Sequence, residues 1–159
     1  MGTNGDLGIA DSASGEAVTL GPLSTLVGYH LRRASNAFGA DFARALTGTG
    51  MRQVLLAILS VVASNPRANQ GSVGRVLGIQ RANMVALIND LVERGLIDRQ
   101  VAKGDRRAFA LTITAEGRKL LDECLSRIAA HEAEMLSDLS EAERDTLIDL
   151  LGRIEAKER

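Results

Sequence analysis

Gln80, Arg81 and Asn83 crowd the start of one segment with helical periodicity, and each is a side-chain type that can grip the edge of a base pair. An arginine fork matches guanine O6 and N7, and a glutamine or asparagine amide matches adenine. One good two-pronged contact of this kind discriminates between bases by about 1–3 kcal/mol. Ala82 and Ala86, in the same segment, carry methyl groups that suit contact with the thymine methyl. Further along, Lys103, Asp105, Arg106 and Arg107 cluster in a polar turn. Either arginine suits a narrow minor groove, where the negative potential is enhanced. A lysine on phosphate adds affinity that depends on salt but carries no sequence information. The chemistry these residues can do is therefore non-covalent recognition of a polyanion.

The charge distribution points the same way. The chain has 159 residues and a formal net charge of -1, so its bulk charge is uninformative. Residues 67–107, however, hold eight basic and four acidic side chains, whereas 114–159 hold seven basic and twelve acidic. A basic segment within a near-neutral chain is an electrostatic footprint for nucleic acid, although a solvated basic face has the same composition.

Other chemistries find little support. The only histidines are His30 and His131, and neither forms a ligand pair with Cys124 at a recognised spacing. No glycine-rich loop precedes a Lys-Ser/Thr pair, and no nucleophile stands beside an apparent base. Neither catalysis, nor a metal, nor a cofactor is expected. With one cysteine no intrachain disulfide can form, which fits a reducing cytoplasm. Cys124 lies near the stripe Leu121, Leu125 and Ile128, so it reads as a small buried hydrophobe rather than a redox sensor. No apolar run approaches the roughly 18–20 residues of a membrane span, and the N-terminus lacks the basic-then-apolar pattern of a signal peptide.

Several elements must position these side chains. Residues 1–19 are rich in Gly, Ser, Ala and Asp and read as a flexible tail. Apolar residues from Leu20 to about Leu46 recur at steps of three and four and predict one long helix, ended by Gly48-Thr49-Gly50. Met51 to Ser64 predicts a buried helix, stopped by Asn65-Pro66. Gln70 to Leu77 and Gln80 to Arg94 predict two helices closed by Gly78 and Gly95. The second buries Met84, Leu87, Ile88 and Leu91, and Val85 is expected in or near the core. The period then changes, and Leu96 to Val101 and Ala108 to Ile113 predict a hairpin across the turn of residues 102–107. Thr114 reads as an N-cap, and Ser140 with Glu143 as a capping box, for two final helices.

The expected fold is mainly α with a small β-hairpin wing: a winged helix-turn-helix with N- and C-terminal dimerisation helices. Residues 20–159 form a single protomer, in which 51–113 are the DNA-binding lobe and 20–47 and 114–157 the dimerisation helices. The apolar terminal helices suit a dimer interface, since large obligate interfaces resemble a cut core.

The stretches SVGRVLGIQRANMVALINDLVERGLIDRQ and GDRRAFALTITAEGR resemble the MarR family of winged helix-turn-helix regulators. Asp105-Arg106-Arg107 followed by Glu116-Gly117-Arg118 is the most specific part, and the likeness covers nearly all of residues 20–155. It implies an obligate homodimer held by the first and last helices, a palindromic double-stranded DNA operator, and repression relieved by a small-molecule effector. The effector class it suggests is an aromatic or phenolic acid or its coenzyme A thioester. It implies that Asp105 orients an arginine, and that an effector cavity lies between the first, second and fifth helices and the DNA-binding lobe; polar and aromatic residues there suit a carboxylate or phenol, and the candidates to line it are Tyr29, His30, Arg33 and Phe38. The expected DNA-facing set is Gln70, Ser72, Gln80, Arg81, Ala82, Asn83, Ala86, Lys103, Asp105, Arg106 and Arg107. One departure stands out: the family often carries Ser, Thr and Arg along the groove-facing side of the recognition helix, where this chain has Gln80, Asn83, Val85 and Ala86. A helical dimer that binds a small molecule or a protein without DNA is the competing reading. It has no need of Arg106-Arg107 at a hairpin tip.

Overall fold

A computed structural model of the chain describes residues 18–102 and 105–157; within 101–109 it describes the backbone alone. Most of the tail, residues 1–17, lies outside the described residues, as does Lys103. The chain divides into two units, Met1–Ala40 and Asp41–Arg159.

The first unit is helical. A 3-10 turn, Gly21–Thr25, precedes α1, Val27–Ala45, whose last turn belongs to the second unit. The helix thus starts later than the apolar spacing from Leu20 predicts. Gly21 takes a φ of 53° and Pro22 brings a fixed φ and no N–H, so the chain makes a tight turn before the regular ladder begins.

The second unit holds the core. Around the end of α1 it arranges α2 (Gln53–Ser64), α3 (Gln70–Val76), α4 (Arg81–Glu93), a hairpin of β1 (Ile97–Ala102) and β2 (Asp105–Ile113), α5 (Ala115–Met135) and α6 (Glu141–Glu155). One apolar cluster joins Leu55, Ile58, Leu59 and Val62 of α2 to Val73 of α3, Met84, Ile88 and Leu91 of α4, Ile97 and Leu111 of the hairpin, and Leu121 and Cys124 of α5. Aliphatic side chains carry nearly all of it, as the scarcity of aromatics requires.

The hairpin is antiparallel, with Ile97 opposite Ile113 and Arg99 opposite Leu111, and its register shifts between Val101 and Ala102. The strand β2 begins at Asp105, so the backbone of Asp105, Arg106 and Arg107 runs in the strand and not in the turn. Residues 67–69 add a short third edge: the Arg67 N–H donates to Leu111 O (3.1 Å), the Leu111 N–H donates to Ala68 O (3.0 Å), and Asn69 bridges Ala110. The hairpin is thereby sewn to the segment that leads into α3.

Two N-caps form as the sequence predicts. Thr114 Oγ1 accepts from the Gly117 N–H at 2.9 Å, and Ser140 with Glu143 closes a reciprocal capping box. Gly117 sits where α5 starts against the end of the α4–β1 connection, and a Cβ there would overlap the Leu96 carbonyl oxygen. On α6 no residue is buried, and Leu147, Ile148, Leu150 and Ile154 are exposed, Ile148 by 68%. Met135 and Leu125 of α5 are exposed as well. No helix among the described residues is long and apolar enough to cross a membrane.

Gly117→Ala should destabilise the protein by at least the 1–3 kcal/mol or so typical of overpacking, read as a lowered midpoint in urea, because the obstructing atom is backbone. Glu143 accepts from the Ser140 N–H and hydroxyl, which holds its carboxyl below the usual carboxylate range. A pKa depressed by folding adds stability at neutral pH and loses it as pH falls through the folded value. The stability gap between wild type and Glu143→Gln should therefore be present at pH 7 and shrink in acid, as thermal melts across pH would show.

Candidate nucleic-acid interface

The geometry of α3 and α4 is set by two glycines and a cap. Asn69 Oδ1 accepts from the Ser72 N–H (2.9 Å) and holds the start of α3. At the other end Gly78 takes a φ of 64°, the left-handed conformation that glycine adopts without strain, and the Ile79 N–H donates to Gly74 O at 2.8 Å. Gly74 itself lies close under α4. A Cβ there would stand 3.0 Å from Met84 Cγ and 3.1 Å from Ile79 O, so the two helices approach as near as they do because the position has no side chain.

Gln80 is the N-cap of α4, yet its side chain makes no cap hydrogen bond and is exposed. Arg81, Ala82, Asn83 and Ala86 are exposed too, whereas Met84, Ile88 and Leu91 of the same helix are buried. Arg81 makes no ion pair or hydrogen bond through its side chain among the described residues. These five expected contacts thus share one accessible end of α4, where backbone N–H groups also face outward and favour an anion.

The expectation for Val85 is corrected. It is 47% exposed, because its place on the helix is nearer Arg81 and Ala82 than the Met84–Ile88–Leu91 stripe. The two α3 residues are half-buried. Gln70 opens the helix, while the Ser72 hydroxyl donates to Asn69 Oδ1 (3.2 Å) and accepts from Arg75 Nη2 (3.2 Å), so Ser72 already has local partners.

The hairpin is tied to α4 by a bond that no sequence signal foretells. Arg99 Nη2 on β1 donates to Asn89 Oδ1 on α4 at 2.6 Å. The side chains of Asp105, Arg106 and Arg107, like Lys103 entire, lie outside what is described. Arg67, two residues before the Asn69 cap, is exposed with a φ of 67°. Asn69, Asn89 and Arg99 therefore join the site as supports. The first carried a legible signal, since asparagine is a preferred N-cap residue. The other two meet only through the fold.

On α1, Tyr29, His30 and Arg33 come together. Tyr29 and His30 pack edge to face with centroids 5.6 Å apart, and the Arg32 and Arg33 guanidiniums stand 5.7 and 5.8 Å from the Tyr29 ring. His30 Nε2 donates to Ser24 O (3.0 Å), tying the 3-10 turn to the helix. Phe38 is not part of this group. Nine residues on, it sits about 13 Å along the axis and about half a turn round.

Three comparisons bear on this arrangement. The model of the MarR family matches residues 52–108, the span from the start of α2 into the hairpin. A Thauera aromatica protein to which regulation of the hcr operon is ascribed is 35% identical over 135 residues, covering 84% of this chain and 81% of its own. Among solved structures, the transcriptional repressor CouR bound to a 23-mer DNA duplex is 32% identical with a TM-score of 0.82, covering 88% of this chain and 99% of its own. CouR from Rhodococcus jostii RHA1 bound to p-coumaroyl-CoA is 29% identical with a TM-score of 0.73, covering 83% and 93%.

Cys124 stands apart from the interface. It is wholly buried in the core cluster, and burial pushes its thiol above the ordinary range against a smaller opposing pull from the Thr49 hydroxyl. Thiolate is the reactive form, so both the burial and the raised pKa suppress oxidation. A thiol reagent such as DTNB should modify native protein far more slowly than urea-unfolded protein. Equal rates would show that Cys124 is accessible after all.

Proposed function

The chain belongs to the MarR family of transcriptional regulators, and on that premise we propose that it is a dimeric, sequence-specific repressor released from its operator by a small molecule. The observation that carries this reading is the accessible N-terminal end of α4, with Gln80, Arg81 and Asn83 exposed and without side-chain hydrogen bonds or ion pairs among the described residues, beside a hairpin bonded to the same helix. The likeness to CouR on a DNA duplex supports the same placement. The helix supplies base contacts in the major groove, and Arg106 and Arg107 of the wing reach the minor groove or the phosphates. Asp105 orients a neighbouring arginine, and Lys103, Gln70 and Ser72 contribute backbone contacts.

The dimer follows from surface that one protomer leaves open. The exposed Leu147, Ile148, Leu150 and Ile154 of α6 and Met135 of α5 form the kind of apolar surface that an obligate partner covers. A two-fold pair of such protomers presents its recognition helices about 34 Å apart, one turn of DNA, which requires a palindromic operator. The protein acts in the cytoplasm and performs no catalysis.

The effector in this reading is an aromatic or phenolic acid or its coenzyme A thioester. The complex of R. jostii CouR with p-coumaroyl-CoA supports that class. Tyr29, His30 and Arg33 offer it an aromatic edge and positive charge. Whatever the compound, it must bind the DNA-incompetent arrangement of the two lobes better than the competent one, since equal affinity for both shifts nothing.

Fluorescence anisotropy of the full chain on its own upstream DNA and on random duplex, at several salt concentrations, tests the reading. Binding to the upstream DNA should be at least about 10³-fold tighter and fall steeply with salt. Arg106→Ala with Arg107→Ala should weaken it, lowering the salt slope by about 0.9 for each phosphate no longer neutralised. Added p-coumaroyl-CoA, with free coenzyme A as control, probes release. Equal weak binding to both duplexes, with no further weakening in the double variant, would leave the competing helical module without DNA as the better account.

A further inference from the structure

The outer face of α4 is less polar than a solvated helix needs to be. At about 100° per residue, Ala82, Val85, Ala86 and Asn89 lie on the side away from Met84, Ile88 and Leu91, and Ala82, Val85 and Ala86 make an unbroken apolar strip across it. Within residues 51–113, Val85 and Val76, the last residue of α3, are the two large apolar side chains left exposed among the described residues.

Local physics argues against a valine at this place. Its branched Cβ is restricted on a helix, and straight-chain residues or alanine serve an exposed helical position better. Nothing in the described fold covers it either. Polar residues frame the strip. Arg81 stands at its N-terminal end, and Asn89, its amide oxygen already accepting from Arg99, stands at the other.

The major groove offers one apolar group, the 5-methyl of thymine; the other base edges there are hydrogen-bond donors and acceptors. An apolar strip pressed on a G·C pair would strip those groups of water and return no partner. Against thymine it buries methyl on methyl.

We infer that the middle of this recognition face reads thymine 5-methyl groups and that Val85 is a specificity-determining residue. Each operator half-site then carries T·A pairs where Val85, Ala82 and Ala86 meet the groove, with Gln80, Arg81 and Asn83 reading the steps beside them. The inference rests on the proposed function and specifies what that site recognises.

The full chain is used to select duplexes from a random pool, and each thymine of the selected duplex is then replaced singly by uracil, which removes only the methyl. Uracil at one or two positions per half-site should weaken binding about fourfold each, the worth of one buried methyl-sized group. Val85→Ala should weaken binding to the thymine duplex by a similar factor and be indifferent to uracil at one of those positions. Arg81→Ala should instead weaken the thymine and uracil duplexes alike. Because Val85 is exposed, the Val85→Ala protein should keep its melting temperature, which separates weaker recognition from a damaged fold. A selected duplex that tolerates uracil everywhere, or a Val85→Ala protein with the full uracil penalty, overturns the inference and leaves DNA binding standing. A pool that yields no enriched duplex overturns the DNA-binding reading and the inference with it.

Discussion

The burial of one side of α4 is the constraint on which the rest of the structure depends. Met84, Ile88 and Leu91 are almost completely enclosed in the same cluster as α2, α3, the hairpin and α5. Each such side chain contributes about 1.5–3 kcal/mol relative to exposure, so the helix cannot roll about its axis without giving up several of them. Its rotation is therefore fixed. Once it is fixed, the opposite side, with Ala82, Val85 and Ala86, must face outward, and together with Gln80, Arg81 and Asn83, exposed at the start of the helix, it becomes a surface of defined composition. Gly74 sets how close α3 lies beneath, and Gly78 turns the chain between the two helices.

A second set of contacts fixes the hairpin against that helix. Leu111 and Ile97 place the hairpin's inner face in the same core, and the edge formed by residues 67–69 bonds it to the approach to α3. The Arg99–Asn89 hydrogen bond adds a direct strut from β1 to α4. At the other end Thr114 Oγ1 donates to Gly95 O, and the missing side chain of Gly117 lets α5 begin where the hairpin ends. Helix and hairpin are thus held together by one core and a direct hydrogen bond. Binding elements held by packed cores and supporting hydrogen bonds keep the geometry that recognition needs.

The C-terminal helices show the opposite economy. The Ser140–Glu143 box and the Arg144 bonds to Leu136 O and Leu139 O organise the α5–α6 corner well, yet no residue of α6 is fully buried among the described residues. Its apolar Leu147, Ile148, Leu150 and Ile154 are exposed among the described residues.

Much of this was legible in the residues. Helical spacing, the glycines at 78 and 95, the cap at Thr114, the box at Ser140 and the switch to strand period after Leu96 are local signals, governed by neighbours within a turn or two. They determined the order of elements, the helix-turn-helix with its wing, and the basic, amide-rich end of α4. The tertiary structure decided what depends on partners distant in the chain. Val85 faces outward because the rotation of α4 is set by its whole buried stripe, which no single residue announces. Residues 67–69 become a sheet edge because β2, some forty positions on, supplies the partners. Asn89 meets Arg99, and Gly117 meets Leu96, because packing brings together groups that no spacing rule relates.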